Sequence, residues 1–334
     1  MDAIIEIQNA KVYYKIGVDF YIRAVDDVSL SIRRGQIMGI AGESGCGKST
    51  LMKVCTCLIK YPLTVLQGRV IYSIEREEIN ALALKREELE ALRWSFLTMV
   101  PQSAMNSLNP VSKIKQVFWE TLKTHCARND DEKKLKRVIY EVLESVGLSE
   151  EVLNMYPSQL SGGMKQRIVV ALATITNPKV VFCDEPTSGL DLVTQKGILQ
   201  FLQAKSKKEN SALVLISHDM GIHAQIADIL VVVYAGKIVE IAPTDDIFKE
   251  PFHPYTEALI NSLPVMGDQK IKDGLSGAPP SLIRPPQGCR FHSRCPYADE
   301  TICREQEPLL LEIQSGRYVA CFKAESRGLR GGLP

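Results

Sequence analysis

The chain has 334 residues, enough to bury a large core, and its 40 basic and 39 acidic residues leave a net charge of +1. This balance argues against a mainly nucleic-acid-binding protein, which usually carries a basic excess on one domain. The longest apolar runs have the length of a strand, far short of the ~20 residues that a membrane-spanning helix needs.

Residues 1–75 are predicted to be rich in β-structure. Apolar runs at residues 4–7, 28–32 and 70–74 indicate strands, and residues 37–41 form a short run suited to a buried strand. A helix is predicted over residues 49–59. Residues 1–10 contain acids and no basic stretch, so we expect no signal peptide and a cytoplasmic protein that meets a membrane only through a partner.

The stretch "GESGCGKST" joins that buried strand to that helix, and its first eight residues match G-x-x-x-x-G-K-[ST]. In such a loop the backbone N–H groups surround phosphate oxygens and the lysine reaches the terminal phosphates. The loop therefore predicts a nucleotide site, with the candidate residues Gly42, Ser44, Gly45, Cys46, Gly47, Lys48, Ser49 and Thr50.

A helical insert is predicted at about residues 76–157. Six apolar residues in it recur at spacings of three and one, which is an amphipathic helical stripe: Leu135, Val138, Ile139, Val142, Leu143 and Val146. Beyond the insert, residues 180–183 and 212–216 are short apolar runs flanked by helix-like segments. This alternation predicts a parallel α/β sheet covered on both faces.

Two carboxylates, Asp184 and Glu185, directly follow the strand at residues 180–183. A carboxylate delivered to the carboxyl edge of the sheet can hold Mg²⁺ together with the Ser49 hydroxyl. Glu185 can polarise an attacking water. The sequence thus predicts a nucleotide-hydrolysing site.

A second glycine-rich helix start occurs in "LSGGMKQR", residues 160–167. Ser161, Gly162 and Gly163 precede a helix-like run, which makes a second phosphate-binding device. One chain with one nucleotide loop has no use for two such devices. We therefore expect a head-to-tail dimer, in which this loop closes on the γ-phosphate held by the partner.

The C-terminal part is rich in proline and cysteine. Prolines make residues 243–287 a poor candidate for a packed domain, although residues 253–263 could hold one helix. Cys289, Cys295, Cys303 and Cys321 follow at irregular spacings. Structural disulfides do not suit a reducing compartment, and zinc usually shows closer cysteine pairs. An iron–sulfur cluster, zinc and free thiols stay open, with the cluster favoured because it tolerates irregular spacing.

The order of these motifs resembles an ABC-transporter ATPase subunit over about residues 1–250, with Gln102, "SGLD" at residues 188–191 and His218 completing the set. "MNSLNPV", "HPYTEAL" and "CRFHSRCPYA" look like the dipeptide/oligopeptide (and nickel) importer branch. The implied fold is α/β: a P-loop NTPase core of ABC ATPase type with a β-rich N-terminal subdomain, a helical insert and a small cysteine-containing C-terminal appendage at residues 251–334.

The resemblance also implies roles at the nucleotide. Tyr14 would stack on the adenine, with Tyr13 as its rival. Lys48 would bind the β- and γ-phosphates and Thr50 the α-phosphate. Ser49, Gln102 and Asp184 would bind Mg²⁺, and catalysis would involve Glu185, His218 and Gln102. Four residues would contact the nucleotide of the opposite subunit: Ser161, Gly162, Gly163 and Gln166. Asp191 would lie at the dimer seam.

The expected function is ATP hydrolysis that powers import of di- or oligopeptides. Expected cofactors are ATP, Mg²⁺ and, as some members of the branch imply, a [4Fe–4S] cluster, with zinc as the alternative. Expected partners are a paralogous or identical ATPase subunit, two integral-membrane permease subunits contacted through residues 102–110, and indirectly an extracytoplasmic substrate-binding protein, with no nucleic acid. Nickel or oligosaccharide import, a soluble ABC ATPase and a redox-sensing regulator are the alternatives.

Overall fold

The computed structural model describes residues 2–125, 131–263 and 275–324. The strands found there are β1 Ala3–Lys15, β2 Tyr21–Arg33, β3 Ile37–Ala41, β4 Leu63–Ile74, β5 Glu77–Asn80, β6 Leu97–Val100, β7 Val180–Asp184, β8 Ala212–Ile216, β9 Ile229–Tyr234, β10 Lys237–Pro243, β11 Leu311–Gln314 and β12 Arg317–Val319. The helices are α1 Lys48–Cys55, α2 Arg86–Leu92, α3 Ile114–His125, α4 Glu132–Ser145, α5 Gly162–Thr174, α6 Leu192–Glu209, α7 Met220–Ile226, α8 Thr244–Lys249, α9 Pro254–Asn261 and α10 Ile302–Glu305. None of the helices in these ranges is long and apolar enough to cross a membrane.

The chain divides into two compact units. The first unit consists of Met1–Ile4, Ile32–Ile37 and Ala83–Leu215. The second unit consists of Ile5–Ser31, Met38–Leu82 and Ile216–Pro334.

The first unit contains three neighbouring strands in the order β8-β7-β6. β6 and β7 are parallel, with Val100 opposite Cys183, and β7 is buried along its whole length. Helix α4 turns one apolar face inward, because Leu135, Ile139, Val142 and Leu143 lie on one side at helical spacing. Helix α5 is almost wholly buried from Ile168 onward, as expected for a helix that is apolar on all sides.

The second unit contains two sheets. An antiparallel sheet has the order β2-β1-β4-β5, and a mixed sheet runs β11-β12-β10-β9-β3. In the mixed sheet β3 and β9 are parallel, whereas β10 pairs antiparallel with both β9 and β12. The C-terminal residues thus add strands to the sheet that contains β3, the strand before the phosphate loop.

The predicted elements compare closely with these bounds. β3 and β8 coincide with the predicted residues. α1, α4, α5 and α9 fall on the predicted helices, but α1 ends at Cys55 and α9 at Asn261, short of the predicted ends at residues 59 and 263. β5, β6, β10, β11 and β12 were not predicted, and β5 and β6 lie within residues 76–157, which were predicted as a helical insert. The division at residue 250 stays a prediction. Residues 264–274 of the proline-rich stretch lie outside the described residues.

Candidate nucleotide-binding and catalytic site

The phosphate loop, residues 42–49, lies in the second unit between β3 and α1, as the sequence predicts. Ser44 and Gly45 are exposed, whereas Cys46, Lys48 and Thr50 are buried and Ser49 is half-buried. The Lys48 ammonium donates hydrogen bonds to the carbonyl oxygens of Gly42, at 2.6 Å, and of Glu43, at 2.9 Å. The loop therefore holds the positive charge of Lys48 against its own backbone.

Two glycines of this loop have backbone angles and surroundings that exclude a side chain. Gly42 has φ 145° and Gly47 has φ 114°, both in the region that favours glycine. A Cβ atom at Gly42 would lie 2.2 Å from the Val233 carbonyl oxygen, and one at Gly47 would lie 2.1 Å from that of Ala24. The motif glycines are thus required by close backbone packing as well as by the turn.

Tyr13 and Tyr14, the two candidates for adenine stacking, differ in their surroundings. The Tyr13 hydroxyl donates a 2.5 Å hydrogen bond to Asp26, and the ring is 8% exposed. Burial and the Asp26 carboxylate raise the pKa of Tyr13. Tyr14 is half-buried, and its hydroxyl lies 3.2 Å from that of Thr50 in α1. Tyr14 has the more accessible ring and lies next to the phosphate-loop helix.

In the first unit Gln102 and Asp184 follow neighbouring parallel strands. Gln102 is exposed and comes two residues after β6, and Asp184 ends β7 with 4% exposure. Because parallel strands end at the same sheet edge, these side chains share one edge of this unit. Glu185 is half-buried and has φ 51°, a left-handed conformation that is costly for a non-glycine residue and is often found at functional sites.

The segment after Gln102 packs on the "LSGG" loop of the same unit. Residues 104–106 form a short 3₁₀ turn, and Ser103 before it has φ 57°. A Cβ atom at Gly162 would lie 3.0 Å from the Met105 sulfur. A displacement of residues 102–106 would therefore change the contact between Met105 and Gly162 at the start of α5.

The "LSGG" loop ends in the capped start of α5. Ser161 is exposed, and its hydroxyl accepts a 3.3 Å hydrogen bond from the Met164 N–H. Gly162 is also exposed and Gly163 is half-buried. Gln166, which is predicted to contact the opposite nucleotide with them, is 3% exposed, and its amide donates a 2.6 Å hydrogen bond to the Pro186 carbonyl. The burial and the hydrogen bond of Gln166 suit a residue that positions the "LSGG" loop.

Asp191 caps the start of α6. Its carboxylate accepts hydrogen bonds from the N–H of Thr194, at 3.0 Å, and from the Thr194 hydroxyl, at 2.7 Å. These bonds from Thr194 lower the pKa of Asp191. Leu192 and Val193, the next two residues, are 82% and 83% exposed. The predicted dimer seam therefore presents uncovered apolar side chains beside an ionised cap.

His218 follows β8 and is exposed. Ser217 beside it is 1% exposed, and its hydroxyl accepts a 3.1 Å hydrogen bond from the Asp219 N–H. Asp219 in turn caps α7 through the Gly221 N–H at 2.8 Å. The backbone on both sides of His218 is thus fixed, and His218 itself is exposed.

The four C-terminal cysteines line one small cavity of about 20 Å³, together with Phe291 and other residues of the second unit. Burial raises the pKa of the Cys289 thiol to about 12. Within the described ranges no group of three or more His, Cys, Asp or Glu side chains is arranged to hold a metal ion. The thiols therefore converge without forming a completed ligand set.

Two residues that the sequence analysis did not single out contact the phosphate loop. The Tyr255 hydroxyl accepts a 2.8 Å hydrogen bond from the Glu43 N–H, and Arg294 pairs with the Glu43 carboxylate. Both lie in the motifs "HPYTEAL" and "CRFHSRCPYA". The sequence analysis used these two motifs only to identify the importer branch and did not predict that they contact the phosphate loop.

Comparison with known proteins agrees with this geometry. Residues 25–188 match the family described as ABC transporter, and residues 239–303 match the oligopeptide/dipeptide transporter C-terminal region. The dipeptide transport ATP-binding protein DppD of Caldanaerobacter subterraneus is 40% identical over 97% of this chain and 98% of its own length. The oligopeptide transport ATP-binding protein AppD of Bacillus subtilis is 36% identical over 98% of this chain and 99% of its own length.

Solved structures place the fold in the same group. A dimeric structure of a post-hydrolysis state of the ATP-binding cassette MJ0796, bound to ADP and Pi, has a TM-score of 0.63 at 27% identity, covering 72% of this chain and 98% of that chain. The cbiO1 protein of Clostridium perfringens has a TM-score of 0.59 at 22% identity over 75% of this chain and 92% of its own, which supports the fold alone. The chain therefore belongs to the ABC-transporter ATPase subunits, in the dipeptide/oligopeptide branch.

Proposed function

We propose that this chain is the ATP-hydrolysing subunit of an importer of di- or oligopeptides and is attached to the cytoplasmic face of the cell membrane by two integral-membrane permease subunits. The observation that carries the proposal is the match of nearly the whole chain to peptide-transport ATP-binding proteins. An extracytoplasmic binding protein would deliver the peptide. Nickel and oligosaccharide import are the competing cargo assignments.

At the nucleotide, the proposed roles follow the motif positions. Tyr14 stacks on the adenine, the loop from Gly42 to Thr50 binds the phosphates, and Glu185 orients the attacking water. Ser49, Gln102 and Asp184 would supply oxygen ligands of the kind that Mg²⁺ prefers. His218 contacts the γ-phosphate. Such phosphoryl chemistry is mainly positioning and charge stabilisation.

The working site is completed by a second ATPase subunit, either a copy of this chain or a paralogue. In a head-to-tail pair, Ser161, Gly162 and Gly163 would close on the nucleotide held by the partner. Asp191 and the exposed Leu192 and Val193 would lie at the seam. Apolar side chains left uncovered beside a functional loop support this placement.

The segment of residues 102–110 is proposed to contact the permease. It begins at Gln102, which follows β6, and it packs on Gly162 through Met105. Nucleotide-dependent movement of Gln102 would thereby reach both the permease and the "LSGG" loop. Substitutions in residues 106–110 are expected to leave ATP hydrolysis by the isolated chain intact while stopping transport.

For the C-terminal cysteines we propose a [4Fe–4S] cluster held by Cys289, Cys295, Cys303 and Cys321, with zinc as the alternative metal. Thiolates are the ligands that either group uses, and the four thiols line one cavity, although the described residues do not arrange them as a completed ligand set. The bound group would supply four metal–thiolate bonds that cross-link the C-terminal region. Its role is structural, since no redox partner is implied by the sequence.

Uptake measurements test the cargo. Cells that depend on this chain are given labelled dipeptides, tetrapeptides, Ni²⁺ or an oligosaccharide, and the wild type is compared with Glu185→Gln and with the exposed control Glu87→Gln. We expect peptide uptake to be lost in Glu185→Gln alone. Loss of Ni²⁺ or oligosaccharide uptake with intact peptide uptake would assign the other cargo.

A further inference from the structure

Arg294 of the C-terminal region forms a two-pronged ion pair with Glu43 of the phosphate loop. Its two terminal nitrogens lie 2.7 and 3.0 Å from the two carboxylate oxygens. The Arg294 side chain is 3% exposed and that of Glu43 is 25% exposed. Paired, planar charges of this kind fix orientation as well as distance, and a buried partner left alone is costly.

The remaining contacts of Arg294 hold it in place. Its Nε donates a 3.0 Å hydrogen bond to the Ser276 carbonyl, and a terminal nitrogen donates to the Tyr234 hydroxyl at 3.3 Å. Arg294 is therefore a fixed support for the loop.

Glu43 is held by the C-terminal region at its backbone too. Its N–H donates a 2.8 Å hydrogen bond to the hydroxyl of Tyr255, which has no solvent exposure. The Tyr255 ring lies 4.5 Å from that of Tyr234, centroid to centroid. Side chain and backbone of one loop residue are thus both anchored outside the loop.

The anchored residue is the one that positions Lys48. The carbonyl of Glu43 accepts hydrogen bonds from the Lys48 ammonium at 2.9 Å and from the Cys46 N–H at 3.3 Å. We infer that Arg294 is a positioning residue for ATP, which acts through Glu43 to hold the phosphate loop and Lys48 in the binding geometry. The inference rests on ATP binding by this loop.

A second arginine of the same short segment supports the loop by another route. Arg290 donates a hydrogen bond to the Ala235 carbonyl. Gly236, which follows Ala235 in the chain, donates a 2.7 Å hydrogen bond from its N–H to the Cys46 carbonyl. Arg290 also forms an ion pair with Asp26, whose carboxylate accepts a hydrogen bond from the Tyr13 hydroxyl. Residues 289–295, bounded by two of the four cysteines, therefore brace the phosphate loop at both Glu43 and Cys46.

The test is the dissociation constant of the full chain for Mg²⁺-ATP, measured by titration calorimetry. Loss of a charged hydrogen-bond pair is expected to raise the dissociation constant of Arg294→Ala about tenfold or more, with KM for ATP rising more than kcat falls. Arg304→Ala is the control, because this arginine pairs with Glu300 at the surface and is 61% exposed. Its dissociation constant is expected to equal that of the wild type.

A double-mutant cycle separates positioning from general destabilisation. If Arg294 acts through Glu43, the double variant Arg294→Ala with Glu43→Gln should bind ATP no more weakly than the worse single variant. Fully additive losses, or an unchanged dissociation constant in Arg294→Ala, would overturn the inference. If Arg294→Ala does not fold, Glu43→Gln removes the same ion pair from the other side. Its dissociation constant for ATP is then expected to rise about tenfold or more, and an unchanged value would overturn the inference. Failure of the wild type to bind ATP would instead refute the proposed function.

Discussion

The side-chain amide of Gln166 donates a 2.6 Å hydrogen bond to the backbone carbonyl of Pro186. Gln166 lies one turn into α5, and Pro186 directly follows Glu185. Gln166 and Pro186 are both buried. The bond ties the helix that begins at the "LSGG" loop to the segment that carries the proposed catalytic carboxylate.

Replacing Gln166 by Met is expected to slow ATP hydrolysis more than it weakens ATP binding. The change leaves the Pro186 carbonyl without its donor at similar side-chain volume, which costs about 1–3 kcal/mol of folding stability. Steady-state ATPase rates, ATP titration and thermal unfolding measure the three effects. Gln200→Met, on the exposed side of α6, is the control. An unchanged ATPase rate in Gln166→Met would contradict this role.

Tyr14 and Tyr13 are expected to give opposite phenotypes. Base stacking on an aromatic ring is worth about 1–3 kcal/mol, so Tyr14→Ala should raise the dissociation constant for ATP roughly tenfold or more while Tyr14→Phe preserves it. Tyr13→Phe should keep ATP affinity and lose folding stability, because its hydroxyl bonds buried Asp26. ATP titration and chemical unfolding distinguish the two; the reverse pattern would assign the adenine to Tyr13.

The sequence predicted the core strands and the motif loops well for identifiable physical reasons. β3 and β8 are continuous apolar runs buried along their whole length, so composition marks both ends. Helix α4 was found because its apolar residues repeat with the helical period. The phosphate loop was found because its glycines are required by local backbone geometry.

Other features depend on contacts that local sequence does not encode. β11 is short and mostly exposed, and it is defined by its pairing with β12 rather than by an apolar pattern. The burial of Gln166 follows from the path of the chain at Pro186. The pair between Arg294 and Glu43 joins residues 251 positions apart, so only the folded chain reveals it.

Metal analysis is expected to identify the group bound by the four cysteines. Protein purified without oxygen should contain about four irons and four acid-labile sulfides per chain, with the matching absorption spectrum. Cys295→Ser should lose most of both, whereas Cys57→Ser, at a buried cysteine outside that cavity, should retain them. Zinc without sulfide would establish the alternative metal, and neither metal would leave free thiols.

The exposed pair Leu192 and Val193 is expected to be covered in the working transporter. Leu192→Asp places a charge where an apolar seam is proposed, and burial of an unpaired charge is costly. ATPase activity of the assembled transporter should fall about tenfold or more, while the isolated chain binds ATP as before. Leu309→Asp, at another exposed apolar residue in the second unit, is the control. Equal activity in both variants would remove Leu192 from the seam.

The same Gly→Ala change is expected to act in opposite directions at two positions. At Gly47 the new Cβ would lie 2.1 Å from the Ala24 carbonyl oxygen and φ is 114°, so the loop must shift and ATP binding should be lost. At Gly197, within α6, no heavy atom other than the nearby backbone of the same helix lies within 4 Å of the added Cβ, so Gly197→Ala should stabilise the fold by about 0.5–1 kcal/mol through its helix propensity. Chemical unfolding and ATP titration of both variants check this. Retained ATP affinity in Gly47→Ala would mean that the close packing of the loop is not required for binding, because the strain would then have been relieved without moving Lys48.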